Sequence, residues 1–152
     1  MIEVGQKAPE FSGTDHQGQP IALSELRQKG PVVLYFYPRD FTPGCTREAC
    51  MFRDAFSDLT GTGASIVGVS VDDEVSHKKF AKEHNLPYAL LSDPGHSLAK
   101  KYGIARIFGL GAQRVTFVID REGTVRAAIR SELSMSRHVK DTQAALDALR
   151  LP

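Results

Sequence analysis

The sequence has no excess of charge of either sign, no long apolar run and only two cysteines. Its 19 Lys and Arg residues against 18 Asp and Glu residues give a net charge of +1, which provides no electrostatic case for nucleic-acid binding. Its apolar runs fall far short of the ~20 residues that cross a bilayer. Residues 1–5 have neither the basic start nor the apolar stretch of a signal peptide. We therefore expect a cytoplasmic protein that binds neither nucleic acid nor membrane.

The 152 residues show no repeat, linker or low-complexity segment. This length is sufficient for one domain with a hydrophobic core and short for two, so a single domain over residues 1–152 is expected. In a reducing compartment, two cysteines are more often redox-active or metal-binding than a permanent crosslink. The five histidines are scattered, and the cysteine pair has none nearby, unlike the closed ligand sets of zinc sites. No metal or other cofactor is expected.

Strand-like and helix-like segments alternate along the chain, which predicts an α/β layer structure. The predicted strands are an N-terminal β-hairpin of residues 5–14 and 20–23, single strands at 32–37, 65–71 and 88–91, and a hairpin of 114–120 with 125–129. The predicted helices are 24–29 with Ser24 as N-cap, 42–59, 72–84, 93–102 and 136–149. Residues 109–111, Gly-Leu-Gly, are expected to form a flexible loop, because no nucleotide-binding fingerprint surrounds them.

The apolar strand at residues 32–37 leads into the segment that carries both cysteines. Thr42 is a good N-cap residue and Pro43 suits the first helical position, which places Cys45 in the first turn of a helix. A thiolate there faces unpaired backbone N–H groups and the positive end of the helix dipole, and both favour the charged form. In a helix, the Cα atoms of Cys45 and Cys50 would lie roughly 8–9 Å apart, beyond the ~7 Å between the Cα atoms that a disulfide can join. Bonding the two sulfurs would therefore require the first turns to unwind.

The segment from Thr42 to Cys50, with Tyr37 and Pro38 before it, resembles the active-site segment of peroxiredoxins. The pattern Pro38-x-x-x-Thr42-x-x-Cys45 is general to that family, and a second cysteine five residues later is typical of the bacterioferritin comigratory protein, or peroxiredoxin Q, subgroup. The resemblance covers nearly the whole chain. It implies a thioredoxin-like fold, in which helices flank a central mixed β-sheet.

The same resemblance implies a thiol-dependent peroxidase that reduces hydrogen peroxide and organic hydroperoxides. Cys45 would be the peroxidatic nucleophile, whose attack on a peroxide leaves a sulfenic acid. Cys50 would be the resolving cysteine, which condenses with that acid to an intramolecular disulfide, and thioredoxin or a similar dithiol would restore the pair. An intramolecular partner for Cys45 removes any need for a second subunit, so a monomer is expected.

Five further residues acquire roles from the resemblance. Thr42 would turn its hydroxyl towards the thiolate or the peroxide, and Arg114 would supply a permanent positive charge for the departing oxygen. Pro38 belongs to the motif, Pro43 would shield the thiolate from water, and Glu48 would help to hold the arginines.

Other interpretations stay open at this stage. Cys45 and Cys50 taken singly are compatible with inert buried thiols, since free cysteine is usually a small buried hydrophobe. A thiol–disulfide oxidoreductase is one alternative, although such enzymes use a Cys-x-x-Cys spacing. A non-catalytic redox sensor, which passes its disulfide-driven unwinding to a partner, is another. Neither alternative explains why Thr42 and Arg114 accompany the cysteines.

Overall fold

The computed structural model describes residues 1–106 and 112–150, so the loop predicted at 109–111 lies outside the described residues. The described strands are β1 (Ser12–Thr14), β2 (Pro20–Ala22), β3 (Val32–Phe36), β4 (Ser65–Ser70), β5 (Ala89–Ser92), β6 (Val115–Ile119) and β7 (Val125–Arg130). The described α-helices are α1 (Leu23–Lys29), α2 (Pro43–Asp54), α3 (Phe56–Thr60), α4 (Glu74–His84), α5 (Ser97–Lys101) and α6 (Met135–Arg150).

Five of these strands form a mixed sheet in the order β5-β4-β3-β6-β7. Strand β3 pairs parallel with β4 and antiparallel with β6, and β4 pairs parallel with β5. Strands β6 and β7 form the predicted hairpin, and β1 and β2 form a separate antiparallel hairpin at the N-terminus. The predicted α/β fold, a mixed sheet flanked by helices with an N-terminal hairpin, is confirmed.

Strand β3 divides the hydrophobic core, because alternate side chains of a strand point to opposite faces of the sheet. Leu34 and Phe36 join a cluster that includes residues of α1 and α5. Val33 and Tyr35 join a second cluster, which includes Cys45 and residues of α2, α4 and α6. All five residues of β3 are buried, as expected of a strand covered on both faces. The second face is therefore the one that holds the cysteine helix.

Two predicted helices are divided in the structure. The helix predicted at 42–59 is interrupted at Ala55, which has φ −90° and ψ 0° and separates α2 from α3. The helix predicted at 93–102 begins as a 3₁₀ turn, and Gly95 and His96 adopt positive φ before α5 starts. Neither Gly nor Pro marks the break at Ala55, so local propensity gives no signal for it.

The prediction that Ser24 caps the first helix is wrong. Helix α1 begins one residue earlier, and its N-cap residue Ala22 has no side-chain capping bond. The backbone N–H of Ser24 instead donates to the carboxylate of Glu10, at 3.1 and 3.2 Å. A carboxylate brought in by the tertiary fold thus satisfies a free N–H group of the first turn.

Helix α6 matches the predicted final helix to within one residue at each end. Its buried residues recur at helical spacing and form one face, consisting of Met135, His138, Thr142 and Leu146. This face packs against α2 and the β6–β7 hairpin. In the described ranges, no helix combines the length and the apolar character that spanning a bilayer requires.

Candidate active site

Helix α2 begins at Pro43, and Cys45 lies in its first turn as predicted, with 1% of its surface exposed. Thr42 is the N-cap residue by position, with φ −78° and ψ 151°. Its hydroxyl does not cap the helix, however, and donates instead to the carbonyl oxygen of Arg39 at 3.0 Å. The sulfur thus lies among the free N–H groups of the first turn, which favour a negative charge.

Arg114 joins Cys45 to Glu48. Its Nη2 atom donates to the Cys45 sulfur at 3.3 Å, and its Nη1 atom donates to Oε1 of Glu48 at 2.8 Å. Cys45 and Glu48 are three residues apart on α2, so they share one face of the helix. Arg114 lies directly before β6, and the start of this inner strand therefore places the guanidinium against this face of α2.

The three side chains are buried, which strengthens the interactions between their charges. Burial alone would lower the pKa of the Arg114 guanidinium, but the charges of Glu48 and Cys45 and the hydrogen bonds to both raise it. Burial raises the pKa of Glu48 to about 7, with a smaller contribution from the charge of Glu132, although Arg114 opposes the shift. The site therefore holds a permanent cation beside the sulfur and a carboxyl group that titrates near neutral pH.

The remaining predicted site residues lie close in sequence but are not joined to Cys45 by a hydrogen bond within the described residues. Cys50 is half-buried on α2, and both cysteines are free thiols. Pro38 is half-buried just after β3, whereas Pro43 is exposed at the first position of α2. The structure brings together Cys45, Glu48 and Arg114, and leaves the other four as neighbours.

Gly44 makes room for the guanidinium. A Cβ atom added at Gly44 would lie 3.2 Å from Nη2 of Arg114, closer than most Cβ contacts. Because Gly44 is in the first turn of α2, without a positive φ, its role here is the absence of a side chain and not an unusual backbone conformation.

The histidines are scattered along the sequence, but His77 and His138 are fully buried in the fold. His138 lies behind Glu48, with its Nδ1 atom 3.6 Å from Oε2 of Glu48. Its position on the buried face of α6, four residues before Thr142 and eight before Leu146, was the signal that would have revealed it.

A second buried polar cluster holds the loop before Cys45. Asp40 accepts hydrogen bonds from the Tyr37 hydroxyl at 2.6 Å and the Ser76 hydroxyl at 2.9 Å, and its Oδ2 lies 2.7 Å from His77 Nδ1. The backbone N–H of Asp40 donates to Asp72 at 2.7 Å. Oxygen and nitrogen atoms of Asp40, Asp72 and His77 lie within 4.8 Å of one another, a donor set that suits a metal ion. Their hydrogen bonds to one another and to Tyr37 and Ser76 already explain the cluster as a clamp on the loop.

The strained residue of this loop is Phe41, which adopts φ 64° although it is not glycine. Its neighbour Asp40 is fixed by the buried cluster, and its ring packs edge-on against Phe80 with centroids 5.1 Å apart. Together these contacts hold a backbone conformation that directs the chain into Thr42 and α2.

Comparison with known proteins gives a consistent result. The family model described as "AhpC/TSA family" matches residues 4–128. The chain is 42% identical over 149 residues to a chloroplastic peroxiredoxin Q of Populus jackii, covering 97% of this chain and 70% of that protein. A crystal structure of the peroxidoxin BcpB from Mycobacterium tuberculosis superimposes with a TM-score of 0.93 at 40% identity, covering 99% of this chain and 100% of the other.

A second solved structure is the bacterioferritin comigratory protein of Xanthomonas campestris, described for its alkyl peroxide reduction activity. It has a TM-score of 0.84 and 30% identity, and the match covers 93% of this chain and 92% of that one. The expected cytoplasmic location is wrong, because curated relatives of this chain are named chloroplastic peroxiredoxin Q.

Membership of this group implies peroxides as the substrate class and a dithiol of the thioredoxin type as the reductant. The chain belongs to the AhpC/TSA family, within its peroxiredoxin Q and bacterioferritin comigratory protein group, and is a thiol-dependent peroxidase.

Proposed function

We propose that Cys45 is the peroxidatic residue, which reduces hydrogen peroxide and organic hydroperoxides by direct displacement. The thiolate attacks one peroxide oxygen, an S–O bond forms and the O–O bond breaks. The sulfur is oxidised by two electrons to the sulfenic acid, and the departing oxygen leaves as water or an alcohol after taking up a proton. The observation that carries this proposal is the 3.3 Å contact between Nη2 of Arg114 and the buried sulfur.

Arg114 has two functions in this proposal. Before the reaction it stabilises the negative sulfur, and during the reaction its guanidinium faces the oxygen on which charge develops. Glu48 holds the guanidinium in place through its 2.8 Å bond to Nη1. Both supporting contacts come from buried side chains, where charge–charge interactions are less screened than in water.

The other motif residues complete the pocket. Thr42 carries a hydroxyl next to the first turn, and rotation away from the Arg39 carbonyl would let it bind the peroxide. Pro43, which lacks an N–H group, covers the first turn from the solvent side, and Pro38 fixes the start of the loop that leads to it.

Cys50 is proposed as the resolving cysteine. Its sulfur attacks the Cys45 sulfenic acid, so that an S–S bond forms and water leaves, once the first turn of α2 has unwound. A thioredoxin-type dithiol then reduces the disulfide and is itself oxidised. Because the disulfide is intramolecular, a single copy of the chain completes the cycle, and we propose a monomer consisting of one domain over residues 1–152.

The test is to add one equivalent of hydrogen peroxide to the reduced protein and to map the products by mass spectrometry. We expect rapid formation of a Cys45–Cys50 disulfide. Cys45→Ser should consume no peroxide, whereas the matched variant Cys50→Ser should complete one turnover and retain a sulfenic acid that a dimedone-type reagent captures. Two free thiols after exposure of the wild-type chain would refute the proposal.

A further inference from the structure

The Glu48 carboxyl group has one oxygen that the peroxidase chemistry leaves unexplained. Oε1 accepts from Arg114, but Oε2 has no hydrogen-bond partner among the described residues, although Glu48 is completely buried. A buried charged oxygen without a donor is costly, so its surroundings decide whether this group is ionised. Nδ1 of His138 lies 3.6 Å from this oxygen.

The hydrogen bonds of His138 identify its tautomer. Nε2 lies 2.7 Å from the carbonyl oxygen of Ser131, and because a carbonyl only accepts, Nε2 carries the hydrogen. In the neutral imidazole, Nδ1 is then a lone pair, which accepts from the Thr116 hydroxyl at 2.8 Å. The only lone pair of Nδ1 is thus engaged by Thr116. An ionised Oε2 turns its negative charge towards this electron-rich atom at 3.6 Å, which is a repulsive contact, whereas a proton on Oε2 removes the charge and with it the repulsion.

We propose that His138 is a positioning residue, which acts on Cys45 through Glu48 and Arg114. Its electron-rich Nδ1 atom lies 3.6 Å from Oε2, disfavours the ionised carboxylate and so keeps one proton on Glu48. This inference rests on the proposed roles of Cys45 and Arg114. With the proton present, Arg114 faces a neutral carboxyl group, and more of its positive charge is directed at the sulfur. When the proton leaves, the carboxylate binds the guanidinium more strongly and draws it away from Cys45.

The proton resides on Glu48 and not on His138. Burial raises the pKa of Glu48 to about 7. Burial and the charge of Arg114 lower the pKa of His138, although its bond to Ser131 raises it. The titratable and charged groups around this pair, from every element packed against it, are Cys45 on α2, Tyr35 on β3, Tyr88 before β5, Arg114 before β6, Glu132 before α6 and Arg137 on α6.

The experiment compares His138→Gln with Thr142→Val. Glutamine keeps a donor for the Ser131 carbonyl but places nothing where Nδ1 faces Glu48, so the repulsion of the ionised carboxylate is removed. Thr142→Val changes the same buried face of α6, where the Thr142 hydroxyl has no partner among the described residues. The readout is the titration midpoint of the Glu48 carboxyl carbon, measured by NMR on the folded, reduced protein with ¹³C-labelled glutamate.

We expect the midpoint of Glu48, near pH 7 in the wild-type protein, to fall by at least one pH unit in His138→Gln and to stay unchanged in Thr142→Val. The pH profile of the rate constant for Cys45 oxidation should move in the same direction. An unchanged midpoint in His138→Gln, or equal shifts in the two variants, would overturn the inference. Neither NMR outcome depends on peroxide, so an inactive wild-type protein would contradict the proposed function and leave this test intact.

A second measurement needs no variant and applies if His138→Gln does not fold. Nitrogen-15 NMR of the wild-type imidazole should show a protonated Nε2 and a bare Nδ1 from pH 6 to 8. The Nδ1 resonance should also respond at the Glu48 midpoint. A hydrogen on Nδ1 throughout this range, or an Nδ1 signal that ignores the titration of Glu48, would overturn the inference.

Discussion

The Glu48→Gln variant tests the buried carboxyl group through the stability of the protein. Glutamine has nearly the same volume and keeps an oxygen for Nη1 of Arg114, but it does not ionise. The folded protein raises the pKa of Glu48 from 4.5 to about 7, so the folded state binds its proton more tightly than the unfolded chain does. The wild-type protein therefore loses stability relative to the variant as the pH rises from 4.5 to 7.

The magnitude follows from that difference. A rise from 4.5 to about 7 corresponds to about 3.4 kcal/mol, at about 1.36 kcal/mol for each pH unit. About 2.5 kcal/mol of this loss of stability occurs between pH 5 and pH 8, a range in which denaturation can be measured. The ion pair with Arg114 is already contained in the pKa of about 7, because Arg114 is one of the groups that set it. Replacing the protonated carboxyl group by an amide adds only an offset that does not vary with pH, because the amide does not titrate.

The assay is chemical denaturation of both proteins, reduced, at several pH values from 5 to 8. We expect the free energy of unfolding of the wild-type protein, minus that of Glu48→Gln, to fall by about 2.5 kcal/mol across this range. Groups that titrate alike in both proteins cancel in the difference. A difference that stays constant to within about 0.5 kcal/mol would refute a Glu48 that ionises near neutral pH, whatever the offset.

Three further predictions concern the surroundings of Cys45. Arg114→Lys keeps the charge but loses the planar fork that reaches Cys45 and Glu48 together, so the rate constant for Cys45 oxidation, measured by competition with a haem peroxidase, should fall about 100-fold. Gly44→Ala should leave the unfolding free energy unchanged or raise it by up to about 1 kcal/mol, because alanine favours the helix. The same change should lower the rate constant for Cys45 oxidation about tenfold, because the added methyl group displaces the guanidinium of Arg114. A rate constant equal to that of the wild-type protein would contradict the close contact. Asp40→Ala leaves the Tyr37 and His77 donors buried without their acceptor, so chemical denaturation should show a free energy of unfolding lower by about 3 kcal/mol. The control Asp54→Ala removes an exposed ion pair and should change that free energy by less than about 0.5 kcal/mol.

The sequence predicted those parts of the site that depend on local rules. Thr42 and Pro43 mark the start of α2, and this start determines that Cys45 lies in the first turn. The periodicity of a helix then places Glu48 on the same face, whatever the rest of the fold. The burial of β3 on both faces likewise follows from an apolar run of strand length, so the sequence alone predicted a layered architecture.

The parts that were not predicted depend on contacts between distant segments. His138 follows Glu48 by 90 positions, and no local pattern states that α6 packs its histidine against α2. The Thr42 hydroxyl neither caps α2 nor bonds to Cys45, because it donates to the carbonyl oxygen of Arg39 in the loop that the Asp40 cluster holds. The residue at the break between α2 and α3, Ala55, is itself a good helix former, so local propensity gives no signal for the break.

On the proposed mechanism, oxidation itself loosens the first turn of α2. The bond from Arg114 to a thiolate is charge-assisted and about twice as strong as a bond between neutral groups. Oxidation to the sulfenic acid takes the negative charge off the sulfur atom, so the chemical step weakens the attraction that fixes this turn to Arg114 at the start of β6. The exposed Pro43 and the small Gly44 add few side-chain contacts that would keep it folded.

The second half of α2 is held by independent contacts that oxidation of Cys45 does not change. The Tyr88 hydroxyl donates to the carbonyl oxygen of Ala49 at 2.9 Å, and the ring of Phe52 stacks on that of Tyr35 with centroids 4.7 Å apart. Ala49 and Phe52 flank Cys50 along the helix, and both are buried. On the proposed mechanism, Cys50 therefore stays anchored to the core, and the turn that carries the oxidised Cys45 sulfur unwinds to meet it.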